Sequence, residues 1–246
     1  DIEWERSFQF FNTTITDGRF ISPLKHLLPA ESKIVYLRQI LPNKSNTNTP
    51  IVIHFAGTGD AGFKRREFFL AGPLARQGIG SIILEAPYYG LRKPFLQTSM
   101  YIEQASDLFK MVHASFEEGR SIVSHLENQG FTKIATTGFS MGGQTSTMVG
   151  LNHKAVKAII PCVTPHSPIP VFIEETLKDS INWGALKKDL KKMDKCPKEF
   201  LTDYFHLSNM ETFPRIHLPK SIQIIAAKND AYVPPYSSEI LSKALG

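Results

Sequence analysis

The 246-residue chain holds one stretch, "TGFSMGG" (137–143), that sets Ser140 between Gly138 and Gly142 just where an apolar β-like run gives way to helical sequence. A G-x-S-x-G at a strand-to-helix turn exposes a serine Oγ as a nucleophile on a strained backbone. Side chains two residues to either side would collide with the turn and the neighbouring strand, so Gly138 and Gly142 leave the room it needs. A serine so placed stands at a helix N-terminus, whose free N–H groups favour developing negative charge. The three fixed positions recur by chance, and a glycine-rich turn with a solvated serine is the bland alternative. The strand before the motif and the helix after it carry the reading.

Acyl transfer also needs backbone donors aimed at an oxyanion. Met141, the residue after the serine, offers one N–H, and the second belongs on the loop after an earlier strand. "IVIHFAGTGD" supplies that loop, with Gly57 or Thr58 as the expected donor. An acid is expected after a later strand, in the order Ser, Asp or Glu, His. "SIQIIAAKNDAYVPP" makes Asp230 the candidate to hold a histidine in its tautomer, although an Asp after a strand is often only a turn former. The eight histidines, His26, His54, His113, His125, His153, His166, His206 and His217, all precede Asp230. The expectation is therefore that the catalytic histidine lies outside this chain, in a C-terminal strand and helix missing beyond Gly246. Two internal rivals remain: His166, just after a strand at 155–163, and His54, which is expected to fix the Gly57 loop by hydrogen bonding rather than to take a proton.

These residues need a scaffold, and the chain provides its rhythm. "KIVYLRQIL" (33–41) alternates, whereas 50–57, 80–87, 133–138, 155–163 and 221–230 are short continuous apolar runs suited to strands covered on both faces. Helical sequence lies between them. The clearest helix runs from about Met100 to Asn128, with Ala105, Leu108, Phe109, Val112, Phe116, Val123 and Leu126 on one face and Gly130 as the stop. The pattern predicts a single α/β domain over 1–246, a mainly parallel sheet flanked by helices. From 164 to 219 the strand rhythm disappears, and this stretch reads as a lid-like helical insertion. Hydrophobic residues at 42% and charged residues at 21% exclude disordered and coiled-coil classes. A net charge of +5, partly concentrated in "ALKKDLKKMDKCPK", is too small to argue for nucleic acid. Cys162 and Cys196 form neither a disulfide framework nor a metal-type spacing, and no apolar run is long enough for a transmembrane helix.

With "DGRFISPL" (17–24), "IHFAGTGD" (53–60), "LEAPYYGLRKP" (84–94), "TGFSMGG" (137–143), "IIPCV" (159–163), "SINW" (180–183) and "DAYVP" (230–234), the sequence resembles the alpha/beta hydrolase domain-containing protein 18 family. The resemblance implies an α/β-hydrolase fold with Ser140 as nucleophile and Asp230 as acid, and an insertion after the fold's sixth strand. It also implies a lipid-type acyl ester as substrate and a mitochondrial association. The chain departs from its relatives at Ala61-Gly62, where they are bulkier, and between Trp183 and Ser221, where it is shorter; both departures bear on selectivity.

The chemistry expected is that of a serine ester hydrolase, inactive as the truncated chain, acting on a small-molecule or lipid ester and needing no metal or organic cofactor. The alternative is a hydrolase-like binding or scaffold protein whose catalytic set has decayed. Trp183, Leu186, Leu190 and Met193 form an apolar stripe surrounded by Lys187, Lys188, Lys191, Lys192 and Lys195. Such a helix either packs on the core with a solvated lysine face or touches anionic lipid. Tyr88 and Tyr89 fit an acyl pocket or plain core packing. Arg92 and Lys93 are expected at solvent, with a carboxylate or phosphate as the alternative.

Overall fold

A computed structural model of the protein describes residues 1–97, 105–174, 177–191 and 195–246. Its centre is a nine-stranded sheet: β1 (Glu3–Trp4), β2 (Phe8–Phe10), β3 (Thr13–Ile21), β4 (Ile34–Pro42), β5 (Ile51–Phe55), β6 (Gly80–Leu84), β7 (Ile134–Phe139), β8 (Val156–Cys162) and β9 (Ser221–Ile222). The order is β1-β3-β4-β6-β5-β7-β8-β9, with β2 paired to β3. Strands from β6 to β9 run parallel, and the β1-β3-β4-β6 side is antiparallel.

The parallel strands are the continuous apolar runs of the sequence, because helices cover both faces. Ile51, Ile53 and Phe55 of β5 join Ile82 and Leu84 of β6 beneath Ile122, Val123 and Leu126 of α3 (Ala105–Asn128) and Met148 and Val149 of α4 (Met141–Leu151). On the other face, Ile83 and Ile40 pack on Ala71 and Ala75. That face is covered by the helical run 64–76, made of α1 (Lys64–Arg66), a π-turn at Glu67–Ala71 and α2 (Gly72–Arg76). The predicted helix start at Met100 lies outside the described residues.

Two expectations about strands change. The sequence reading contains no strand before residue 33, yet β3 is one of the two longest, at nine residues. Its "TDGR" centre looks like a turn, but Asp17 lies opposite Arg38 of β4 and accepts its guanidinium through both oxygens, at 2.7 and 2.8 Å. A cross-strand ion pair thus supports a strand that propensity alone would break. Conversely, the run 221–230 is not a strand covered on both faces. Only Ser221–Ile222 and an isolated bridge from Cys162 to Ile225 pair with β8, and Ile225 is 49% exposed. The strand borders the sheet in the described chain, so its outer edge pairs with no further strand.

Between β8 and β9, residues 164–219 form α5 (Trp183–Leu190) and α6 (Pro197–His206) with short turns around them. Counted from β3, β8 is the sixth strand, where the insertion was expected. Leu186 and Leu190 of α5 pack with Ile173, Leu201 and Phe205, as the apolar stripe predicts; Met193 and Lys192 lie outside the described residues. After β9, α7 (Pro235–Leu245) buries Leu241 and Leu245 in the main core.

Candidate active site

The turn between β7 and α4 is built as the motif requires. Ser140 sits at φ 52°, ψ −116°, a region that costs a non-glycine residue roughly 1–3 kcal/mol and persists only where the surroundings enforce it. They do so here. The Ser140 N–H donates to Cys162 O at 2.9 Å, tying the turn to the end of β8. A Cβ on Gly138 would lie 2.4 Å from the Gly142 carbonyl, and one on Gly142 would lie 2.5 Å from Phe55 O. Helix α4 follows at once. Its first i→i−4 bond is Gln144 N–H to Ser140 O, so the N–H groups of residues 141–143 have no acceptor within the helix.

The loop after β5 lies against this turn. A Cβ on Gly57 would stand 3.0 Å from Phe139 O, and Thr58 Oγ1 lies 4.0 Å from Met141 Sδ. Two residues of the loop, Gly59 at φ 75° and Gly62 at φ 71°, adopt conformations that suit glycine. Below the loop, Arg66 Nε is 2.8 Å from Asp60 Oδ2. The Gly62 N–H donates to both oxygens of Glu85 at 2.9 Å. Burial pushes the Glu85 carboxyl above its usual range, opposed by that backbone bond and by the cations Arg66 and Arg92. Burial likewise lowers the Arg66 guanidinium, with Asp60 and Glu85 opposing.

Ser140, Met141 and Thr58 open together into a cavity of 360 Å³. Leu108, Val112, His113 and Phe116 of α3 and Met141, Gln144 and Met148 of α4 form one wall. The other is supplied by the segment between β8 and β9, through Pro165, Pro168, Val171, Phe172, Leu177, Tyr204, Phe205, Leu207, Ser208 and Phe213. The two walls are joined by Gln144 Nε2–H donating to Ser208 O at 2.8 Å and by Phe109 stacked on Tyr204. Burial pushes the Tyr204 hydroxyl up to about 12.

Asp230 stands in the loop between β9 and α7. Its Oδ1 closes a turn, accepting the N–H groups of Tyr232 at 2.8 Å and Val233 at 3.0 Å. It does not line the cavity. Among the described residues no histidine is hydrogen-bonded to Ser140. His166, one internal rival, pairs through Nδ1 with Ser237 Oγ of α7 at 2.8 Å, and its own N–H also donates to that oxygen. His54 does not fix the Gly57 loop: it is fully buried, and its Nε2 meets Ser81 Oγ on β6 at 3.0 Å. Burial and the nearby Arg66 lower its pKa to about 3.

At Arg92, Tyr88 and Tyr89 the structure chooses between the alternatives the sequence leaves open. Arg92 does not face solvent but meets a carboxylate inside the protein: it is completely buried and doubly bonded to Glu118 of α3, at 2.7 and 2.8 Å. Ser22 Oγ–H adds a 2.6 Å bond to the same carboxylate. Tyr88 and Tyr89 are core residues packed with Ala56 and Met111. Sequence reasoning missed His113 and Tyr204 as cavity residues. His113 adjoins Val112 in the α3 stripe, which is the one signal that could have found it.

A mostly parallel sheet flanked by helices, with a serine at such a strand-to-helix turn, defines an α/β-hydrolase fold, and solved structures agree. An acetyl xylan esterase from Paenibacillus sp. R4 superposes with a TM-score of 0.61 at 11% identity, covering 100% of this chain and 87% of that one. A cold-adapted esterase from an Arctic intertidal metagenomic library gives 0.61 at 14%, covering 99% and 85%. Prolyl oligopeptidase B from Galerina marginata gives 0.59 at 14%, covering 95% of this chain and 31% of that one. The sequence profile of the family described as "Alpha/beta hydrolase domain containing 18" matches residues 1–203. The chain belongs to that family. Asp230 lies outside the matched residues.

Proposed function

We propose that the protein is a serine hydrolase of carboxylic esters with an apolar acyl chain, working through an acyl-enzyme. The observation that carries the reading is the opening of strained Ser140 into a cavity walled chiefly by aliphatic and aromatic side chains. In this mechanism Ser140 Oγ attacks the carbonyl carbon while a base takes its proton. The oxyanion is held by the N–H of Met141 and that of Gly57 or Thr58. Collapse expels the alcohol, which takes the proton from the same base, and water repeats the cycle to release the acid. Asp230 orients the base, a histidine. Esterases among the structural relatives support the class of reaction. The lysines at 187, 188, 191 and 195 flank a groove between α5 and the start of α6, and in this reading they rest on an anionic lipid surface.

A second reading, a silent binding or scaffold protein, is favoured by one observation: among the described residues no histidine is hydrogen-bonded to Ser140. The two part on p-nitrophenyl butyrate hydrolysis by the full natural chain. Turnover abolished by Ser140→Ala supports the enzyme. Absent turnover, or turnover that survives the substitution, supports the binder.

A further inference from the structure

The loop that would hold the oxyanion has little structure of its own. Its one internal backbone bond among the described residues is Asp60 N–H to Gly57 O, at 3.1 Å. What it does have is a guanidinium beneath it. Arg66 is 4% exposed and donates through Nη1 to His54 O, at 3.1 Å, and to Leu84 O, at the ends of two adjacent parallel strands. Nη2 donates to Gly62 O at 2.7 Å, and Nε faces Asp60 at 2.8 Å. One rigid plane thus ties the frame, β5 and β6, to both ends of the loop's second half.

We propose that Arg66 is a positioning residue for the oxyanion site, holding the loop so that the N–H of Gly57 or Thr58 keeps its aim at the space beside Ser140. The inference rests on the serine-hydrolase reading. Gly57 already lies against Phe139 O, so a loop that shifts cannot move closer to the turn; it moves away from it. A planar fork serves here where an ammonium would not, since Lys carries the charge but cannot span three carbonyl acceptors lying in different directions while standing beside Asp60. Arg66 touches no substrate in this account. It acts on the transition state, where the oxyanion forms, and leaves ground-state binding in the cavity alone.

The test uses the full natural chain with Arg66→Lys and Asp60→Asn, the second in case the first does not fold. Each variant is checked for a cooperative thermal transition. Loosening the loop should lower kcat roughly 10- to 100-fold, the scale of a misaimed donor, while KM stays within about 3-fold. Affinity for a trifluoromethyl ketone, which forms an oxyanion on the serine, should fall in step with kcat/KM. A merely structural role would lower the melting temperature without this split. A wild-type kcat in folded Asp60→Asn, or a loss confined to KM, beside a dead Ser140→Ala, overturns this inference alone. Turnover that is absent, or that survives Ser140→Ala, overturns the serine-hydrolase reading and this inference with it.

Discussion

At Ser140 the strain is imposed from three sides: the Cys162 carbonyl above the N–H, and Gly138 and Gly142 packed against each other and against Phe55. At Gly142 the atoms a methyl would strike are backbone atoms of β5 and the Gly57 loop rather than a flexible side chain. Gly142→Ala should therefore destabilise the fold by about 1–3 kcal/mol, the usual cost of overpacking. A urea midpoint equal to that of the parent protein would contradict this. The serine, Met141 and Thr58 were legible in sequence because their geometry is local, set by a turn and the strand ends around it. Arg92 was not. "LRKP" looks like a solvated loop, and the carboxylate that buries it, Glu118, lies on a helix 26 residues away. His54 was misjudged for a related reason: its partner Ser81 is on the adjacent parallel strand, a pairing that only the sheet order reveals.

Among the elements, β5, β6, β7 and β8 were readable because burial on both faces forces continuous apolar runs. Strand β3 was not, since its polar centre is satisfied by Arg38 from β4. The 221–230 run misled for the opposite reason: apolar residues there suggested coverage that the described sheet does not supply. The segment between β8 and β9 was legible as an insertion, and its two surfaces fit the proposed function. Phe172, Tyr204 and Phe205 face the cavity, while Lys187, Lys188 and Lys191 are exposed. If that outer face meets anionic lipid, replacing the three lysines by glutamate should cut sedimentation with vesicles of 30% phosphatidylserine by at least about 10-fold, at roughly 1 kcal/mol per lysine. Neutral phosphatidylcholine vesicles should show no such difference. Equal binding of parent and variant to the anionic vesicles would remove the lipid reading and leave a solvated helix face.

Over the whole molecule, buried and half-buried histidines set a direction for the response to acid. Burial lowers His125, His153 and His166, and lowers His54 furthest, to about 3. A group whose folded pKa is depressed contributes stability above its unfolded value, and that stability is lost as pH falls toward the folded one. For His54 the window runs from 6.5 down to about 3, with a slope of about 1.4 kcal/mol per pH unit for the one proton. Glu85 opposes it, because its raised carboxyl loses stability as pH rises rather than as it falls. Comparing the parent protein with His54→Gln cancels the other groups: unfolding free energy between pH 6.5 and 5 should fall more steeply in the parent. Parallel slopes would mean that His54 does not titrate as its burial requires.

A nucleophilic Ser140 is tested most simply by covalent labelling. The full natural chain treated with a fluorophosphonate and digested with trypsin should carry the adduct on the peptide 134–154, at Ser140, and labelling should vanish in Ser140→Ala. An unmodified Ser140 in the treated protein, or labelling that persists in the variant, would contradict the account.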